Sequence, residues 1–85
     1  MDKMPIYQIE LDGGKATAEQ RAMYSPMSAT LQIKFYTILK DLGYNVKDTV
    51  WGYPLEVEPP IVGEHRKIIE VYIDAPFVIS EVQPQ

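Results

Sequence analysis

The side chains best suited to chemistry in this sequence are four carboxylates in its second half. Glu56 and Glu58 lie two residues apart, and Glu70 and Asp74 lie four apart with Tyr72 between them. If both segments are strands that pair in a suitable register, their alternation brings all four carboxylates to one face of a sheet. Clusters of carboxylate oxygens bind Mg²⁺ or Mn²⁺. The arrangement supports one hypothesis, a divalent-metal-dependent hydrolase or nuclease.

The same carboxylates have a simpler interpretation as a solvated surface. Acidic side chains keep the outer face and the edge of a half-exposed sheet soluble. Together with tyrosines they also suit the basic groove of another protein, because long-range attraction speeds encounter and aromatic side chains anchor the complex. The candidate interface residues of this second half are Tyr53, Glu56, Glu58, Glu70, Tyr72 and Asp74.

Other groups with catalytic potential are sparse in this sequence. It contains no cysteine and one histidine, His65, whose charged neighbours indicate a solvated loop. A nucleophilic triad needs a base that a third group orients, and no such set is evident. The segment Asp12-Gly13-Gly14-Lys15 lacks the spacing of a phosphate-binding loop. We therefore assign no catalytic residue and no cofactor from the sequence.

Length and charge narrow the functional classes. A chain of 85 residues fits one domain, spanning 1–85, and is too short for two. Its formal net charge of −4 argues against direct nucleic-acid binding, which needs clustered Lys and Arg. No apolar run approaches the roughly 18 residues of a membrane span, and the first residues do not resemble a secretory signal. These features predict a cytoplasmic protein that binds neither membrane nor nucleic acid.

The two halves of the chain differ in charge and in β-branched content. Residues 1–42 carry five acids and five bases, whereas residues 43–85 carry seven acids and three bases. Twelve of the sixteen Ile and Val residues also lie in the second half. Branched side chains suit a pleated, half-buried surface. The pattern predicts a largely helical first half and an acidic, strand-rich second half.

The start of the chain predicts a strand and then an ambiguous segment. Alternation over residues 6–11 indicates a strand that ends at the turn Asp12-Gly13-Gly14. Thr17 and Gln20 fit a capping box for a short helix over 18–24, and a mobile loop is the alternative. The side chains expected on the inner face of the strand are Tyr7, Ile9 and Leu11.

The main predicted helix runs from about residue 26 to residue 42. Ser25 suits its N-cap, Pro26 its first position and Gly43 its left-handed end. At 100° per residue, one apolar stripe forms its core face. That stripe consists of Met27, Leu31, Phe35, Ile38, Leu39 and Leu42.

A second apolar stripe lies on the far side of this helix and adds three candidate interface residues. They are Ala29, Ile33 and Tyr36. Either the segment 15–24 packs over them or a second protein chain does.

The second half predicts a strand over 51–58, a strand over 66–74 and a short last strand over 77–79. The short connection between the first two favours an antiparallel hairpin. The expected fold is a two-layer α+β domain in which one main helix covers an antiparallel sheet of three to four strands, in the order β-α-β-β with a final β. Frayed ends are expected at 1–4 and 82–85.

These features favour a small non-enzymatic protein-binding module. Its expected partner is a second copy, as a homodimer, or the basic surface of a nucleic-acid-handling protein, on which it acts as an acidic inhibitor or accessory factor. The metal-dependent enzyme and a structural subunit of a larger assembly remain alternatives.

Overall fold

The computed structural model describes residues 6–25, 27–47, 50 and 52–82, which form an α+β fold. The predicted fold class is confirmed, although three helices of these residues accompany the sheet instead of one main helix. The elements, in chain order, are β1 (Ile6–Leu11), α1 (Ala18–Tyr24), α2 (Ala29–Asp41), β2 (Asn45–Val46), β3 (Leu55–Glu58), α3 (Gly63–Ile73) and β4 (Phe77–Val82).

The four strands form one sheet in the order β2-β3-β1-β4. Every neighbouring pair is antiparallel, and Ile9 of β1 stands between Leu55 of β3 and Ile79 of β4. Because β3 and β4 are both antiparallel to β1, they run parallel to each other. Parallel strands cannot be joined by a tight hairpin and need a crossover, usually a helix. The helix α3 lies in that crossover.

The core lies between one face of the sheet and the helices α2 and α3. The inner-face residues Ile9 and Leu11 of β1 are buried, and Tyr7 packs against the core, as predicted. Phe35 of α2 meets Phe77 of β4 edge-on, with ring centroids 5.7 Å apart, a favoured aromatic geometry. Of the predicted core stripe of α2, Leu42 is half-buried and the others are buried: Met27, Leu31, Phe35, Ile38 and Leu39.

The segment after β1 is a helix, which decides between the two alternatives for 18–24. The capping box of α1 is complete. The Gln20 N–H donates to Thr17 Oγ1, and the Thr17 N–H donates to Gln20 Oε1, both at 3.0 Å. At the other end the Ser25 N–H donates to the Arg21 carbonyl at 3.0 Å.

The predicted start of α2 is wrong by about one turn. Ser28 is the N-cap, and its Oγ accepts the Leu31 N–H at 3.2 Å. Ser25 instead caps the end of α1, and Pro26 lies outside the described residues. The end is as predicted, because Gly43 has a φ of 94° and accepts the left-handed conformation without a steric penalty.

The strand predicted over 66–74 is wrong, because this segment forms α3. Ile69 and Ile73, four residues apart, are buried, while Val71 between them is 84% exposed. In a strand these three side chains would share a face. The predicted hairpin with 51–58 therefore does not form. Branched side chains favour strands only weakly. The chain must connect β3 to β4, which lie on opposite sides of β1, and this crossover favours a helix.

The strand predicted over 51–58 is shorter than expected, since β3 contains only its last four residues. Trp51 lies outside the described residues. Tyr53 is exposed in a bend that follows Gly52, whose φ is 93°.

The final strand is present and longer than expected. β4 pairs with β1 along its whole length, from Leu11 opposite Phe77 to Ile6 opposite Val82. Val82 therefore lies in the sheet, whereas the rest of the segments expected to fray, 1–4 and 83–85, lies outside the described residues.

Candidate functional site

The four carboxylates of the metal hypothesis do not share one face. Glu56 and Glu58 lie on the sheet, while Glu70 lies on the exposed surface of α3. Asp74 ends α3 in the left-handed conformation, with a φ of 55°, which Asp adopts more readily than most residues. Among the described residues, no group of three or more His, Asp or Glu side chains could hold a metal ion. The register that this hypothesis required is wrong.

The face of the sheet away from the helices carries three carboxylates, and we call it the open sheet face. Alternation along the strands assigns it Glu10 of β1 with Glu56 and Glu58 of β3. Glu58 accepts a hydrogen bond from Asn45 Nδ2 at 3.0 Å and lies 3.7 Å from Lys47 Nζ. Its other polar and apolar members include Gln8, Asn45, Val78 and Ser80.

His65 is not the solvated loop residue that the sequence predicted. It is half-buried in the first turn of α3, and its Nδ1 lies 2.7 Å from the Tyr44 hydroxyl. The Val62 N–H donates to the same hydroxyl oxygen at 3.2 Å. Val62 is the N-cap of α3 and has no side-chain oxygen to cap it. The pair therefore fixes the start of α3 from a distant part of the chain.

The second apolar stripe of α2 is exposed. Ile33 and Tyr36 are 54% and 45% exposed, and Ala29 is also exposed. The interpretation in which the segment 15–24 covers this stripe is therefore wrong. Lys40 Nζ lies 5.7 Å from the centre of the Tyr36 ring, a cation–π distance. No described part of the chain buries the stripe.

Another exposed apolar surface lies where α2 and α3 meet. It is a shallow groove of about 490 Å³ with almost wholly apolar walls, which we call the helical groove. Val71 stands at its exposed side. Tyr72 was a candidate from the sequence, whereas Lys67, Ile68 and Val71 were missed because 66–74 was interpreted as a strand, and Ile38 was assigned to the core. The lining residues are Ile38, Lys67, Ile68, Val71 and Tyr72.

No protein-family model, curated protein or solved structure matches this chain. In the described ranges, no helix combines the length and the apolar character that crossing a bilayer requires. The surfaces of the chain itself are therefore the basis for a functional proposal.

Proposed function

We propose that this chain is a small protein-binding module that docks a partner protein on the helical groove. The observation that supports this proposal is the groove itself, about 490 Å³ and lined by Ile68, Val71 and Tyr72 beside Ile38. Exposed apolar side chains that cluster in one place make such a surface a candidate interaction site. Its burial against a partner contributes about 25 cal/mol for each Å² removed from water.

The chemistry of the groove defines the partner that fits it. Two packed helices form its walls, and such grooves accept the apolar face of an amphipathic helix. Lys67 is the charged residue among the lining side chains, and its ammonium group attracts a carboxylate at the rim of the interface. The partner expected here presents large apolar side chains with an acidic residue beside them.

The open sheet face supports a second candidate function. Glu10, Glu56 and Glu58 project from a face that no described helix covers. Such a surface suits the basic site of a nucleic-acid-handling protein, on which the chain would act as an acidic inhibitor or accessory factor. A cytoplasmic location agrees with this candidate and stays a prediction from the sequence.

A substitution in the groove tests the first candidate. Full-length chain carrying Val71→Glu is compared with wild type in affinity capture from extracts of the natural host. Met23→Glu is the matched control, because Met23 is also an exposed apolar residue and lies on α1, away from the groove. We expect one discrete partner with wild type and Met23→Glu and its loss with Val71→Glu, at unchanged circular dichroism. Equal capture by Val71→Glu would overturn the proposal.

A further inference from the structure

β4 is the longer of the two edge strands of the sheet, and we propose that it pairs with β4 of a second copy of this chain in a symmetric dimer. The sheet order leaves β2 and β4 at the two edges. β2 has two residues, whereas β4 has six. This surface is distinct from the helical groove, so the inference goes beyond the proposed function and does not depend on it.

The register shows which backbone groups of β4 face outward. The Asp12 N–H donates to the Pro76 carbonyl at 2.9 Å, which makes these two residues a hydrogen-bonded pair. Bonded and non-bonded pairs alternate along an antiparallel ladder. The residues of β4 that bond to β1 are therefore Val78, Ser80 and Val82. Those that direct their N–H and C=O groups to the free edge are Phe77, Ile79 and Glu81.

This edge lacks most of the features that usually prevent strand pairing. Natural edge strands are protected by lysine, proline, bulges, inward-pointing charges or short length, and of these β4 has one charge on its inner face, Glu81. The sequence of β4, FVISEV, contains neither lysine nor proline, and its register with β1 is uninterrupted over six residues. Among the described residues, no hydrogen bond occupies the outward backbone groups of Phe77, Ile79 and Glu81.

The three residues whose backbone groups face the edge, Phe77, Ile79 and Glu81, can pair with the same three residues of a second copy when Ile79 is at the centre. In an antiparallel pair centred there, Ile79 faces Ile79 of the second copy, and Phe77 faces Glu81 of the second copy. All three outward positions then form bonded pairs, with roughly six hydrogen bonds between the chains. A shift of two residues in either direction leaves one of the three positions without its partner, so the centred register is favoured.

Charge supports the same register. The Arg66 guanidinium carbon lies 5.0 Å from the centre of the Phe77 ring. Because Phe77 faces Glu81 of the second copy, Arg66 comes beside that carboxylate, and the two-fold axis repeats the contact. Glu81 Oε1 accepts the Tyr7 hydroxyl at 3.2 Å, which leaves Oε2 for the guanidinium. In the described part of the chain, Arg66 has one exposed ion pair, with Glu70 at 3.6 Å.

Pairing of the two edges joins the sheets into one of eight strands. The two open sheet faces then become a single surface on which Glu10, Glu56 and Glu58 each occur twice. The dimer therefore doubles the number of carboxylates on one continuous surface.

Exchanging the charges of Glu81 and Arg66, which meet between the two copies, tests the proposed register of β4 with β4. Sedimentation velocity over a concentration series measures the dimer dissociation constant of wild type, Glu81→Arg, Arg66→Glu and the double variant. Each single variant turns two attractive contacts into repulsive ones, and we expect at least about a tenfold weaker dimer. The double variant is expected to regain affinity close to that of wild type. Val71→Glu is a control that should dimerise normally, because Val71 lines the helical groove and does not belong to β4. Dimerisation through β4 is thereby tested independently of partner binding in the groove.

Two results would overturn the dimer. One is a 9.7 kDa monomer at every concentration up to roughly 1 mM, the range in which even weak association is visible. The other is a dimer whose affinity does not respond to the single variants or is not restored by the double variant.

A disulfide test gives a second readout that does not depend on charge. The chain has no native cysteine, so Ile79→Cys introduces one thiol. Its Cα lies about 5.5 Å from its symmetry mate in a bonded pair, within the disulfide range. In Val78→Cys, the matched control, the two Cα atoms are about 8 Å apart. Rapid oxidation to a covalent dimer by Ile79→Cys alone supports the register, and equal yields or none contradict it.

Discussion

The Tyr44 hydroxyl lies 2.7 Å from Nδ1 of His65 and links the residue before β2 to the first turn of α3. The same oxygen accepts the Val62 N–H at 3.2 Å. The Tyr44 hydroxyl therefore bonds to two groups at the start of α3, His65 Nδ1 and the Val62 N–H. Most of the residues that line the helical groove lie on α3. Tyr44 is itself buried, so water cannot easily replace these bonds.

Removing this hydroxyl should destabilise the fold. Tyr44→Phe leaves the Val62 N–H and His65 Nδ1 without their partner, and we expect the free energy of unfolding to fall by about 1–3 kcal/mol. Urea denaturation measures the change. Tyr53→Phe is the control, because Tyr53 is exposed, and it should change stability by no more than about 0.5 kcal/mol. Equal effects of the two variants would contradict the structural role of Tyr44.

The same hydrogen bonds define the tautomer of His65. The Tyr44 oxygen accepts from Val62, and we expect its phenol proton to point to Nδ1, which places the proton of the neutral imidazole on Nε2. ¹⁵N NMR of the neutral ring should show a protonated Nε2 and an unprotonated Nδ1. A proton found on Nδ1 would mean that Tyr44 does not donate to it.

Because α3 is a helix, truncation should affect stability very differently at two positions whose side chains would share a face in a strand. Ile69 is fully buried and Val71 is 84% exposed. We expect Ile69→Ala to lower the free energy of unfolding by about 2–5 kcal/mol and Val71→Ala to change it by at most about 0.5 kcal/mol. Chemical denaturation of both variants provides the comparison. Similar losses of stability at both positions would contradict the helix and indicate a strand.

Tyr7 should respond to alkaline pH. Desolvation raises the pKa of Tyr7 above its usual value of 10.0, and the hydrogen bond and negative charge of Glu81 raise the pKa further. A raised pKa in the folded state means that this contribution to stability is complete below pH 10 and is lost as pH rises through the folded pKa. The difference in absorbance at 295 nm between wild type and Tyr7→Phe should therefore titrate above pH 10.

Replacing the carboxylate separates the contributions to this shift. Glu81→Gln removes the negative charge next to Tyr7 and should move the titration of Tyr7 to lower pH. If Tyr7 titrates at the same pH in both backgrounds, the contact between Tyr7 and Glu81 does not form in solution.

Patterns within a few residues of sequence correctly predicted the elements that such short segments determine, namely β1 and α1. The alternation of Ile9 and Leu11 gave β1, and the pairing of Thr17 with Gln20 gave α1. Ser25 and Ser28 show the limit of such signals, because both suit an N-cap. The structure uses Ser28 for α2, and Ser25 instead ends α1.

The error at α3 has a different origin. Ile69, Val71 and Ile73 alternate as in a strand, and Ile69 with Ile73 also has the four-residue spacing of a helix. Long-range pairing decides between the two, because β4 joins β1 on the side opposite to β3. The helical groove depends on this long-range pairing, since Ile38 and Ile68 line the same surface only when α3 crosses the sheet. No local pattern contains that arrangement.

Site-specific cross-linking at Val71 most directly tests whether the chain binds a partner through the helical groove. The photoreactive residue p-benzoylphenylalanine replaces Val71 in full-length chain expressed in the natural host, and Met23 in a control. Irradiation should give a discrete cross-linked partner protein from position 71 and none from position 23. No discrete product from position 71, or the same product from both positions, would contradict docking on the helical groove.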